Sequence, residues 1–88
     1  MLGKDELNRL RDSPIEGVAA RLGLQVVRHK CLCPFHNDQQ HPNLSFHVRS
    51  NTFRCWSCQE HGDPLDLVQK VLGLGFVEAC KWLGAGQV

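Results

Sequence analysis

Four side chains in this sequence have the types and the spacing to hold a metal ion. Cys33 and His36 flank a proline and an aromatic in "CPFH", and Cys55 and Cys58 enclose "CWSC", with eighteen residues between His36 and Cys55. Zinc binds thiolate sulfur and imidazole nitrogen in a tetrahedron, and a tight turn with two residues between its ligands supplies half of it. Two such turns at strand ends make a zinc-ribbon arrangement. When protein fills all four positions no place is left for a water, so the expected ion is structural, one per chain.

Other uses of these residues compete. "CWSC" by itself also fits a redox dithiol, but the βαβ setting of that motif is missing. Cysteines also serve as small buried apolar residues, which would leave His36 and the matched spacings unexplained. Cys31, in "CLC", is ambiguous: strand alternation puts it on the same face as Cys33, within approach of the metal. Cys33 is preferred because it alone stands at knuckle spacing from His36. His61 could replace Cys58 only by straining the turn. Cys80 falls in an apolar helical stripe and reads as core, whereas His29, His41, His47 and His61 lie in polar company and read as solvated.

The chain around these residues is short. Eighty-eight residues allow one small domain, of a size that commonly leans on a metal, a disulfide or a partner. Five cysteines with no export signal point to reduced thiols, and an odd number fits full pairing poorly. No apolar run approaches the ~20 residues of a membrane span, so a soluble, cytoplasmic protein without membrane contact is expected. The formal net charge is +1; three thiolates and a divalent ion bring it near neutral, so any affinity for nucleic acid must come from a local patch.

The elements that must position the ligands follow from periodicity and punctuation. "SPIEGVAARLG" is expected to be a helix capped by Ser13, with Pro14 first, Glu16 completing a capping box and Gly23 at its end. "KDELNRLR" offers a docked or frayed turn. "LQVVRHKCLC", "LSFHVRS" and "TFRCWSC" suggest three strands, with Leu44, Phe46 and Val48 alternating against Ser45, His47 and Arg49, and "RSNT" as a hairpin turn. Residues 37–43 read as a loop. Asp63 and Pro64 open a helix with Leu65, Val68, Val71 and Leu72 as its stripe; Gly73 to Gly75 break it, and Phe76, Cys80 and Leu83 line a last short helix. The expected fold is a small α+β zinc ribbon: a short antiparallel sheet, zinc held by two knuckles, and flanking short helices. Its bounds are residues 13–84, after an N-terminal segment 1–12 and before a tail or linker 85–88.

Taken together, "CPFHND", "HPNLSFHV" and "FRCWSCQEHGDPLDLV" closely resemble the Cys-His-Cys-Cys zinc-binding domain of bacterial-type DNA primases and of related phage and mobile-element replication proteins. The resemblance runs from about Pro14 to Leu83. It departs from the family at Ser57 and Gln59, where glycine is frequent, and at Asn43, where serine is. Cys31 is not a ligand position in the family, which favours Cys33. The resemblance implies a non-catalytic module that contacts single-stranded template DNA and assists primer initiation by a separate primase catalytic domain, in cis or in trans, with a replicative helicase as a further partner.

Residues suited to DNA contact are present. Arg28, Lys30, Arg49 and Arg54 lie on or beside the expected strands, with Asp38 the one acid between Arg28 and Arg54, and Phe46, Phe53 and Trp56 are interleaved with them. Basic groups track phosphates while exposed rings stack on bases. Phe46 is expected in the core instead, and strand Arg and Lys residues are often merely solvated. Arg54 and Trp56, flanking the second knuckle, are the leading candidates. The alternative is a zinc ribbon that docks proteins of a replication complex without touching DNA.

Overall fold

The computed structural model describes residues 3–35 and 42–85. Two short helices, α1 (Lys4–Arg11) and α2 (Ile15–Arg21), precede four strands, β1 (Lys30–Cys31), β2 (Leu44–His47), β3 (Thr52–Cys55) and β4 (His61–Gly62). Helices α3 (Pro64–Leu72) and α4 (Phe76–Ala85) follow. The strands form one antiparallel sheet in the order β1-β2-β3-β4. This is the expected small α+β fold, with a fourth strand that "EHG" did not suggest.

Alternation divides the sheet into two faces. Leu44, Phe46, Phe53, Cys55 and Cys31 point inward and are buried with Leu10, Ile15, Val18, Leu65, Leu67, Val68, Ala79, Cys80 and Leu83. The outward side chains fall into register across all four strands: Lys30 opposes Ser45, Ser45 opposes Arg54, and Arg54 opposes His61. His47 and Thr52 form the next pair on the same side. Helix α3 is the hub of the inner layer, packed against β3, β4, α1, α2 and α4.

The start of α3 is built by its own sequence. Asp63 accepts from the Asp66 N–H at 2.9 Å, and Asp66 accepts in return from the Asp63 N–H at 3.1 Å, a reciprocal capping box with Pro64 at the first helical position. To fit there, the Asp66 side chain lies against residue 62, where a Cβ would stand 2.6 Å from it. Glycine at 62 is therefore a packing requirement of the cap. The helix ends on Gly73 in the left-handed region.

Several expectations change. Helix α2 begins after Pro14 with no side-chain cap on that residue; Glu16 meets His29 Nδ1 at 2.5 Å rather than closing a box with Ser13. The leading N–H of α2 is taken instead from across the molecule, Ile15 donating to Asn51 Oδ1 at 2.8 Å. Helix α1 is a full two turns, held by buried Leu10. The strand expected from Leu24 shrinks to Lys30–Cys31, because Arg28 and His29 both take positive φ in a tight turn closed by paired Val27–Lys30 hydrogen bonds. Val48 leaves the alternation for the β2–β3 turn and is 59% exposed. In α3 Leu67 is buried and Leu72 exposed; in α4 Ala79 joins Cys80 and Leu83 inside, while Phe76 is exposed.

Asn51 couples the hairpin to the helices. Its amide donates to the Arg11 and Ser13 carbonyls at 3.0 and 2.9 Å, beside the bond from Ile15, and its φ is 57°. Asparagine tolerates this region better than most residues. Replacing it by alanine removes three hydrogen bonds worth ~1 kcal/mol each and adds backbone strain. Asn51→Ala is expected to destabilise the zinc-loaded protein by about 2–4 kcal/mol in urea unfolding, and a loss below about 0.5 kcal/mol would show that the helices are not pinned there.

Candidate metal centre

Three sulfurs from two distant segments meet under one end of the sheet. The Sγ atoms of Cys33, Cys55 and Cys58 all lie within 4.8 Å of one another, with Cys33 and Cys58 3.6 Å apart. Zinc–thiolate bonds of ~2.3 Å in a tetrahedron place sulfurs roughly 3.8 Å apart, so this cluster fits the ion with little movement. Cys31 is buried but outside the cluster, and Cys80 is buried in α4. His36 and His41 lie outside the described residues, as does Asp38.

Each knuckle turns its backbone N–H groups toward its first sulfur. The Phe35 N–H points to Cys33 Sγ at 3.4 Å. At the second knuckle burial disfavours the Cys55 thiolate, but the N–H groups of Cys58 and Ser57, helped by the neighbouring thiols, outweigh it and hold Cys55 below the usual thiol range. Burial, opposed by the Phe35 N–H and reinforced by Cys55 and Cys58, pushes Cys33 up to about 12. Burial and then Cys55 raise Cys31 to about 11. The surroundings thus favour the thiolate at Cys55 and oppose it at Cys33. A divalent cation reverses the balance for the other ligand thiols, which must lose protons to bind.

Tertiary bonds fix the second knuckle to the sheet. The Trp56 N–H donates to the Asn43 carbonyl at 3.0 Å, the Cys55 N–H to the Glu60 carbonyl at 2.8 Å and the Gln59 N–H to the Cys55 carbonyl at 3.1 Å. Gln59 has a φ of 66°, while Ser57 does not depart from ordinary backbone. Of the two positions where glycine is frequent in the family, only 59 requires left-handed geometry.

A family model described as CHC2 zinc finger, in its DnaG zinc-ribbon form, matches residues 13–87. The chain belongs to the CHC2 zinc-finger family. A DNA primase of Streptomyces coelicolor is 43% identical over 92 residues, covering 98% of this chain and 14% of that protein. One of Mycobacterium leprae is 46% identical over 56 residues, covering 61% of this chain and 8% of that protein. This CHC2 finger therefore spans a small fraction of the curated primases it matches. The crystal structure of Aquifex aeolicus primase, comprising zinc-binding and RNA polymerase domains, superposes with a TM-score of 0.75 at 26% identity over 91% of this chain and 21% of that one. The chain is a primase-type zinc-binding domain, and zinc is its cofactor.

The five residues expected to contact DNA are distributed unevenly. Lys30 and Arg54 share the outward row of the sheet, and the Arg54 guanidinium stacks 4.6 Å from the centre of the Trp56 ring. The Trp56 indole N–H donates to Ser45 Oγ at 3.0 Å, so the ring lies on the outer face above Ser45 and is still 55% exposed. Arg28 sits apart in the strained turn and Arg49 in the β2–β3 turn, both exposed. The outer face also holds His47, Thr52, Gln59 and His61 beside Arg54; their alternation with buried Phe46 and Phe53 was the available signal.

Two outcomes test the centre. Cys31→Ser should keep stoichiometric zinc by elemental analysis, and Cys33→Ser should lose it; equal losses would overturn the ligand choice. Chelation removes a contribution of ~10–16 kcal/mol from a sheet of very short strands, and should collapse the β signal in circular dichroism while the helices keep part of theirs. Because buried thiols must deprotonate to bind, zinc affinity should fall as pH falls. Separately, Gln59→Gly, which relieves a left-handed residue, should raise urea stability by about 1 kcal/mol or less; a clear loss would show that the Gln59 side chain stabilises the knuckle.

Proposed function

We propose that this CHC2 finger is the template-contacting module of a DNA primase. Cys33, His36, Cys55 and Cys58 hold the zinc, and single-stranded DNA crosses the outer face of the sheet. Lys30 and Arg54 neutralise phosphates there, Trp56 stacks on a base, and Arg28 and Arg49 add charge at the margins. The observation that carries this is the row Lys30, Ser45, Arg54 and His61 across four strands, with an exposed indole on it beside a guanidinium. Exposed rings with cations along a track are the general means of binding single strands.

Nucleotidyl transfer falls to a separate catalytic domain, in cis or in trans, as the pairing of zinc-binding and RNA polymerase domains in the Aquifex primase suggests. Among the described residues, the cysteine cluster is the one group able to hold a metal ion. A replicative helicase is a further partner of this assembly, and the cytoplasm its setting; among the described residues no helix is long and apolar enough to cross a membrane.

A second reading, protein docking without DNA contact, is favoured by exposed Leu72, Phe76 and Val77 at the α3–α4 elbow. Anisotropy of a labelled single-stranded oligonucleotide separates the two. The zinc-loaded protein should bind in a salt-dependent way, with Arg54→Glu and Trp56→Ala each weakening binding about tenfold and Lys81→Glu, on α4, changing it less than twofold. Absence of salt-dependent binding would leave the docking reading in place.

A further inference from the structure

The outer face ends in a groove that shares Arg54 and His61 with the DNA-contacting row and adds His47, Thr52 and Gln59, which that reading leaves without a role. His47, Thr52, Phe53, Arg54, Gln59 and His61 line about 550 Å³ between the β2–β3 end of the sheet and the edge strand β4. Its polar side chains all bring hydrogen-bond donors: a guanidinium, two imidazoles, an amide and a hydroxyl. Among the described residues no carboxylate lines it. Thr52 Oγ1 shares a hydrogen bond with Ser50 Oγ at 2.8 Å, and Gln59 Nε2 reaches the Trp56 carbonyl at 3.4 Å, so both are held near the groove by local bonds.

Arg54 belongs to this groove and to the Trp56 stack at once. A base on the indole and a phosphate in the groove are thus the two halves of one nucleotide. An internal phosphodiester carries a single charge on two free oxygens, whereas a phosphate monoester carries about −1.5 to −2 on three. The number of donors matches the monoester. The border agrees, since Glu60 and Asp63 flank β4 in the chain and the Asp66 side chain lies against Gly62. Lys70 pairs with Glu60 and Arg11 with Asp63, while Asp66 meets the backbone of its own helix cap. A strand continuing past β4 would run onto these carboxylates, and a strand that ends at β4 would not.

We propose that the groove between His47, Arg54 and His61 is a pocket for the terminal phosphate monoester of a nucleotide chain or nucleotide, whose base stacks on Trp56. The proposal rests on the template-contacting reading for its base platform, and the test keeps the two apart. Zinc-loaded protein is titrated with one short single-stranded oligonucleotide bearing a 5′-phosphate, a 3′-phosphate or hydroxyls at both ends, and separately with adenosine monophosphate while His47 and His61 ring signals are followed by NMR.

One phosphorylated end should bind at least fivefold tighter than the hydroxyl-ended strand. The double variant His47→Ala, His61→Ala should erase that preference, and His47→Ala alone, outside the outer row, should leave hydroxyl-ended binding within about twofold, whereas Trp56→Ala should weaken all three strands. Equal affinity for the three, or a preference that survives the double histidine variant, overturns the pocket and leaves the template reading intact. Adenosine monophosphate shifting both histidines without any oligonucleotide binding would overturn the template reading and support the pocket. No shift and no binding would overturn both.

Discussion

Everything on the sheet side of this domain depends on holding Cys33 against Cys55 and Cys58, with the β2–β3 hairpin between them in the chain. Strands of two to four residues cannot do this by themselves, because short hairpins are marginal in water. The apolar core lies mostly among the helices and the inner faces of β2 and β3, and it takes in Cys33 and Cys55 at its edge, with Cys58 packed against it. Phe35 marks the join: it belongs to the first knuckle and stacks its ring 5.9 Å from that of Phe53 in the core. Zinc therefore cross-links, at the edge of the core, two segments that the short strands alone hold weakly.

From the second knuckle the constraint passes directly into the helices. Cys58 is followed within five residues by the Asp63 cap, and the intervening β4 is pressed so close to that cap that residue 62 has no room for a Cβ. The run from Cys55 to Asp66 is thus one mechanical unit: knuckle, edge strand and helix start, each fixing the orientation of the next. On the other side Asn51 carries the hairpin to the α1–α2 junction. Between them these two links orient the sheet on the helical layer, which is why two short helices with modest apolar faces of their own are nonetheless ordered.

What could be read in the sequence was what depends on local spacing. The knuckles, the β2–β3 pair, the Asp63–Pro64 start and the buried places of Phe46 and Cys80 are all set by residues within a few positions of each other. What could not be read depends on partners far along the chain. Glu16 has the position of a capping-box residue, but His29 takes it and Asn51 Oδ1 accepts from the first N–H of α2. The Arg28–His29 turn carries neither glycine nor asparagine, so nothing local announces that the backbone reverses there. In the metal centre, periodicity put Cys31 and Cys33 on one face, knuckle spacing favoured Cys33, and the fold brings Cys33 and not Cys31 into the cluster. His36 falls outside the described residues, so its place in the centre rests on the family and on spacing.

The same geometry explains how a nearly neutral chain can have a charged working face. Inward positions of the sheet are consumed by core and sulfur, and the acids that balance the net charge gather elsewhere: Glu16 against His29, Glu60 against Lys70, Asp63 against Arg11. The outer row is left with Lys30, Arg54 and His61 and no acid among them. Arg54 and Trp56 sit on either side of Cys55, one residue away in each direction. Any shift of that sulfur moves the guanidinium and the indole together. A metal held by Cys55 therefore bears on the proposed binding face as well, because the residue that anchors the ion also sets the spacing of the cation and the ring outside it.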